Sequence, residues 1–213
     1  MIIYNPENMI PSRVKEAEQV LRQLPQKYCF ITGSFLYEEN YKDIDLFIIT
    51  RSKKEIKIDD DRLTVTKIDF NMLYSLFHHS ISKSCVANNI LPKKPLKLTI
   101  ADYWHVINEA IPNILNNKEK WRKEARFVIL YTEYLKNNKI LSSYELKRKL
   151  NKIPSYKKLF KLIEKTAPEI INKKIKKNYI KRYFYEWRGV YKDFIADDCT
   201  KYLYTLCHNI IYY

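Results

Sequence analysis

Helical and strand-like spacings of apolar residues both occur in the first 99 residues of the chain. After Pro11, apolar residues recur three and four positions apart until Pro25, which predicts an amphipathic helix. Three strand-like runs and a short helix follow. The strands are predicted over Tyr28–Thr32, Asp43–Thr50 and Arg62–Phe70, and the helix over Asn71–His79.

The pattern changes after a long connection, Ser80–Thr99, which contains Pro92 and Pro95. Beyond it the spacing is almost wholly helical, and Ser143 is a suitable N-cap for one of the helices. We therefore predict an α+β fold with two domains, a mixed sheet flanked by helices over 1–99 and an all-helical domain over 100–213. Helices are predicted over Asp102–Asn116, Lys118–Asn138, Ser142–Leu150, Ser155–Thr166, Pro168–Arg188 and Val190–Tyr213.

Composition narrows the class of protein. A chain of 213 residues with 46% hydrophobic and 30% charged residues is typical of a globular protein, and no apolar run approaches the roughly 18 residues of a membrane span. Residues 1–5 lack the charged start of a secretory signal, so we expect a cytoplasmic protein without a membrane partner. The four cysteines have no metal-ligand spacing and are expected to be free, mostly buried thiols.

The two glycines, Gly33 and Gly189, exclude one class of nucleotide site. Phosphate loops of the Rossmann, Walker and kinase types each need at least two clustered glycines, and this chain has no such cluster. Any phosphate site must therefore be built in another way.

The positive charge is concentrated in one segment. The net charge is 39 − 24 = +15, and residues 146–182 hold 14 basic and 2 acidic residues, a local charge of 14 − 2 = +12. Aromatic and basic residues also alternate over 179–188, as in surfaces that stack nucleic-acid bases. Two interpretations stay open: a polyanion-binding surface, or helices whose rings pack inward while their lysines face water.

Two carboxylates share one face of the second predicted strand. Side chains at alternate positions of a strand point the same way, so Asp43 and Asp45 lie on the face of Phe47 and Ile49. Gly33-Ser34 precedes this strand and directly follows the first one. A strand, a Gly-Ser turn and a strand that opens with Asp-x-Asp resemble the DNA polymerase beta-like nucleotidyltransferase superfamily, in its minimal form, over about residues 28–70.

The resemblance implies a role for each of these residues. Asp43 and Asp45, with a third carboxylate on a later strand, would be the catalytic ligands of two Mg²⁺ ions. Asp69 is the best candidate for the third, and the run Asp59-Asp60-Asp61 is the alternative. Gly33, Ser34 and the amides of a following helix N-terminus would bind the triphosphate of an NTP, most simply ATP, and Lys83 is a further candidate for that contact.

The acceptor is less well defined by the sequence. The first hypothesis is a magnesium-dependent transfer of a nucleoside monophosphate to RNA, such as a tRNA 3′ end, held against the basic helices. The second keeps the fold and transfers AMP to a partner protein, as nucleotidyltransferase antitoxins do. The third is a catalytically silent domain that binds RNA or protein, which the lack of a second glycine after Ser34 favours. Cationic aminoglycosides are a poor match for a chain of charge +15.

Overall fold

The computed structural model describes residues 1–52, 56, 58–98, 110, 113–114, 119 and 121–166. Within these ranges the protein has a five-stranded mixed sheet accompanied by helices, so the predicted α+β class is confirmed. Most of the predicted helix over 102–116, and all of those over 168–188 and 190–213, lie outside the described residues.

The chain divides into two compact units. The first combines residues 1–98 with 126–154, and the second combines 99–125 with 155–213. The first unit is therefore discontinuous in sequence, whereas the sequence pattern suggests a single boundary at residue 99. The candidate site belongs to the first unit.

The sheet is built of five strands, β1 (Ile2–Tyr4), β2 (Cys29–Thr32), β3 (Ile44–Ile49), β4 (Leu63–Ile68) and β5 (Cys85–Ala87). Their order in the sheet is β1-β5-β2-β3-β4. The β3–β4 pair is parallel and the other pairs are antiparallel. The register of β2 and β3, the strands of the Gly-Ser and Asp-x-Asp motif, places Thr32 opposite Asp45.

Helices cover both faces of the sheet, and each face has its own apolar core. Helix α1 (Pro11–Arg22) packs on the face of Ile44, Leu46 and Ile48, through Ala17 and Leu21. The opposite core contains Phe47 and Ile49 of β3 with Ile81 of α2 (Leu76–Ile81). The predicted alternation along β3 is thus confirmed, and the carboxylates of Asp43 and Asp45 belong to the face that α2 covers.

Three further helices follow in the described residues: α3 (Trp121–Asn137), α4 (Ser143–Asn151) and α5 (Tyr156–Thr166). Residues 126–137 of α3 and all of α4 belong to the first unit. In that unit Phe127 of α3 contacts Phe77 of α2, with ring centroids 5.8 Å apart, and Phe77 in turn contacts Phe47 of β3 at 6.3 Å. Aromatic contacts therefore connect α3 to the strand that carries the two aspartates.

Two predicted local features are wrong. In place of one helix over 71–79, the chain forms a 3₁₀ turn (Phe70–Met72) and then α2, because the side chains of Asp69 and Ser75 each accept a backbone N–H and start a new element. The N-cap of α4 is Ser142 rather than Ser143. Ser142 and Glu145 form a complete capping box.

Strands β1 and β5 are absent from the sequence prediction, which places residues 80–99 in a connection. Both strands have only three residues, too few for an alternating pattern to appear. All of β5 is buried because it lies between β1 and β2. Tertiary pairing, rather than local pattern, makes this segment a strand.

Candidate functional site

The Gly-Ser turn leaves the sheet at the end of β2. Gly33 has φ 89° and ψ −166°, a conformation that only glycine adopts without strain. Ser34 then begins a single 3₁₀ turn, Ser34–Leu36, closed by hydrogen bonds from the amides of Tyr37 and Glu38 to the Ser34 carbonyl. The helix N-terminus expected here as a phosphate site is a single 3₁₀ turn, whose aligned dipole is small.

The carboxylate of Asp45 lies directly against Gly33. A Cβ on Gly33 would collide with Asp45 Oδ2 and would lie 3.3 Å from its Cγ. The backbone of the turn and an acidic side chain of β3 therefore approach each other more closely than any other residue type at position 33 would allow. This contact brings together the two halves of the sequence motif, the Gly-Ser turn and the Asp-x-Asp strand.

The charge of Asp45 is held in an unfavourable environment. Burial raises the pKa of its carboxyl group, the neighbouring Asp43 raises it further, and the positive charge of Arg126 opposes both effects. Two carboxylates close together in a partly buried site attract cations, and divalent magnesium is commonly bound by one or two carboxylates with water and phosphate oxygens. The residues present thus fit one divalent ion.

Arg126 is a site residue that the sequence does not reveal. It lies in the part of α3 that belongs to the first unit, one position before Phe127, and its charge acts on Asp45. The sequence shows only one more basic residue in a long helix, far from the motif in chain order. The aromatic contacts between α3, α2 and β3 could be known only from the fold.

A hydroxyl group on the neighbouring strand is bonded to Asp43. The parallel register places Thr64 of β4 opposite Asp45, and Thr64 Oγ1 donates a hydrogen bond of 3.1 Å to Asp43 Oδ2. Thr64 is exposed and neutral. The sequence gives no reason to single it out among the threonines of β4.

Asp69, the predicted third ligand, does not join the other two carboxylates. Because Thr64 pairs with Asp45 in the parallel register, Asp69 lies five positions further along, roughly 16 Å away at about 3.3 Å per residue. Its side chain accepts the Asn71 amide at 2.7 Å and caps the 3₁₀ turn. Sequence spacing alone gives no strand direction, and a parallel β4 sends Asp69 to the far end of the sheet.

The alternative third ligand, the run Asp59-Asp60-Asp61, is not assembled with the pair either. Asp60 is bound by Arg62, whose Nη2 lies 2.8 Å from Asp60 Oδ2. Over the described residues, no group of three or more His, Cys, Asp or Glu side chains is arranged to hold a metal ion. The two-ion set expected from the resemblance therefore lacks its third carboxylate there.

Lys83 faces a carboxylate rather than an open phosphate site. Its Nζ donates to the Ile140 carbonyl at 2.7 Å and to Glu145 Oε2 at 2.8 Å. Burial alone would raise the pKa of Glu145, but hydrogen bonds from Lys83, the Ser142 amide and Lys139 lower it to about 2. Lys83 thus holds the start of α4 beside the segment that leads into β5.

This ion pair gives a stability prediction. Glu145→Gln should lower the free energy of unfolding by about 1 kcal/mol at pH 7, the scale of a solvent-screened pair. The folded pKa lies below the ordinary value of 4.5, so the contribution is complete above pH 4.5 and is lost as the pH falls toward 2. Urea unfolding of both proteins from pH 7 to pH 3 measures this, and a difference that stays constant with pH would contradict it.

The described part of the basic segment is partly neutralised within the protein. Lys147 pairs with Glu38, and Lys149 pairs with Glu133. Arg148 lies over the ring of Tyr144, which also contacts the ring of Tyr37 with the ring centroids 4.9 Å apart. The rest of this segment, 167–182, and the aromatic and basic residues over 179–188 lie outside the described residues.

Two of the four cysteines lie in the described part of the chain. Cys29 and Cys85 are free and buried, and burial raises the pKa of the Cys29 thiol to about 12. Cys199 and Cys207 lie outside the described residues. None of the helices in the described ranges is both long and apolar enough to cross a membrane.

Comparison with known proteins does not assign the chain to a family. No family model matches the chain, and no match was found among curated proteins or among solved structures.

Proposed function

We propose that this chain is a nucleotidyltransferase that moves a nucleoside monophosphate from an NTP, most simply ATP, to an acceptor hydroxyl. The observation that carries the proposal is the contact of the Asp45 carboxylate with Gly33, beside Asp43. A half-buried Gly-Ser turn next to two carboxylates on one strand face supports a site for a triphosphate with its cation.

Each residue of the proposed site has its own role. Asp43 and Asp45 would hold Mg²⁺, which when bound neutralises phosphate charge and orients the triphosphate. Gly33 lets the turn lie against the Asp45 carboxylate, and the Ser34 hydroxyl at the same turn would donate a hydrogen bond to a phosphate oxygen. Arg126 supplies a positive charge that acts on Asp45, whereas the sequence offered Lys83 as a candidate contact for the triphosphate.

The overall reaction is a displacement at phosphorus. The acceptor oxygen forms a bond to the α-phosphorus, and the bond from that phosphorus to the bridging oxygen of the β-phosphate breaks. Pyrophosphate leaves, and the hydroxyl proton passes to water. Holding the acceptor and the triphosphate in line is the main contribution that positioned side chains make to such a reaction.

RNA is the acceptor that the charge favours. A chain of net charge +15 attracts a polyanion and repels cationic small molecules. A partner protein is the second acceptor class, and it is distinguished by the experiment below.

One observation favours a second function, nucleotide binding without transfer. The third carboxylate expected from the resemblance is missing from the described surroundings of Asp43 and Asp45. A silent domain would bind a nucleotide with Mg²⁺ and would modify nothing.

The test is to incubate the protein with each of the four α-labelled NTPs, Mg²⁺ or Mn²⁺, total RNA and a host lysate. We expect label on RNA, and we expect Asp45→Asn to remove it. Asp61→Asn is the matched control, since this exposed aspartate lies outside the site. Label on a protein, with the mass of an AMP adduct, would identify the second acceptor class. Nucleotide binding without label on any fraction would contradict transfer.

A further inference from the structure

We propose that Thr64 stands where the third carboxylate of a two-ion site would be, and that the site consequently holds one divalent cation with its nucleotide. This inference rests on the proposed function. It concerns the number of ions, which the resemblance would set at two.

The register of β3 and β4 places Thr64 beside both carboxylates. Neighbouring strands lie about 4.8 Å apart, and residues paired across them project to the same face. Thr64 is paired with Asp45 and donates to Asp43, so it is the β4 position adjacent to both carboxylates. A third acidic ligand contributed by this strand would have to stand there.

The other candidate acids of this region lie away from Asp43 and Asp45. Asp69 is separated from Asp45 by five positions of the parallel strand and caps the next turn. Asp60 is held by Arg62 at the connection that precedes β4. Neither residue can replace the missing charge unless β4 shifts along β3, and such a shift would break the apolar contacts that β4 makes.

The charge of the site is too small to hold two divalent ions close together. Two magnesium ions 3.5–4 Å apart repel each other strongly, and a third carboxylate offsets part of that repulsion. Thr64 brings no charge, and its hydroxyl occupies one lone pair of Asp43 Oδ2. The geometry suits a single ion bound by Asp43 and Asp45, with its other positions filled by water and phosphate oxygens.

The experiment counts ions per bound nucleotide. The full chain is dialysed against Mn²⁺ and α,β-methylene-ATP, whose bond to the leaving group is not cleaved, and the bound ion and bound nucleotide are measured. We expect about one Mn²⁺ per bound nucleotide for the wild type. Thr64→Asp should raise this ratio to about two, and the uncharged Thr64→Asn should leave it near one.

The outcomes separate this inference from the proposed function. Two ions per nucleotide in the wild type would overturn the inference alone. A ratio for folded Thr64→Asp equal to that of Thr64→Asn would overturn the assignment of this position. No nucleotide-dependent ion binding in the wild type would overturn both the inference and the proposed function.

Discussion

Asp45→Asn should make the protein more stable and, at the same time, remove Mg²⁺-dependent nucleotide transfer. The ionised carboxylate is partly buried beside Asp43, and both features raise its pKa. An amide of the same shape removes the charge repulsion and the cost of burying that charge. Functional groups held in unfavourable surroundings commonly reduce stability in this way.

The sign of the pH dependence follows from the direction of the shift. Because the folded pKa of Asp45 lies above its unfolded value, ionisation at rising pH costs more in the folded state, and stability falls across that window. The wild type should therefore lose stability relative to Asp45→Asn as the pH rises, and the two proteins should converge at acidic pH. Thermal unfolding from pH 3 to pH 8 without divalent ions measures the difference.

Addition of Mg²⁺ with nucleotide should make the wild type more stable than Asp45→Asn, because the ligand binds the folded wild type and not the variant. Transfer by Asp45→Asn should fall at least about 100-fold, since a lost metal ligand removes several kcal/mol of stabilisation at the transition state. A variant that is less stable than the wild type in the absence of metal at pH 7, or that keeps its transfer rate, would contradict this role of Asp45.

Gly33→Ala should be the most destabilising single-methyl change in the site. A non-glycine residue at φ 89° and ψ −166° costs about 1–3 kcal/mol, and the collision of its Cβ with Asp45 adds about 1–3 kcal/mol of overpacking. The sum, about 2–6 kcal/mol, is a large part of the 5–15 kcal/mol that stabilises an ordinary domain. Urea unfolding at pH 7 measures it.

A double variant separates the two causes. In Gly33→Ala/Asp45→Ala the collision is gone and only the backbone term remains, so the loss should be smaller than the sum of the two single effects. Nucleotide transfer should stay absent, because a metal ligand is missing. Strict additivity of the two substitutions would show that the Asp45 carboxylate does not lie against Gly33.

Much of the site could be predicted from sequence because it depends on local chemistry. The two-residue period of a strand places Asp43 and Asp45 on one face, and the structure has Phe47 and Ile49 on that same face. Only glycine suits a turn that a carboxylate approaches closely, which is why Gly33 stands out in a chain with two glycines.

The remainder of the site depends on partners distant in the chain. In the sequence Asp69 is as good a candidate ligand as Asp43, and only the parallel register of β4 with β3 separates the two residues. By sequence Lys83 could pair with any acidic residue of the protein, and it pairs with Glu145 because of the position of α4. Thr64 and Arg126 become site residues only through tertiary contacts.

The most direct test of the account is the affinity of the wild-type protein for α,β-methylene-ATP, measured by calorimetric titration with and without Mg²⁺. We expect binding that requires the ion and that is lost in Asp43→Asn and in Asp45→Asn, while Asp61→Asn behaves as the wild type. Nucleotide affinity that is equal with and without Mg²⁺, or unchanged in both site variants, would contradict a metal–nucleotide site at the Gly33 turn.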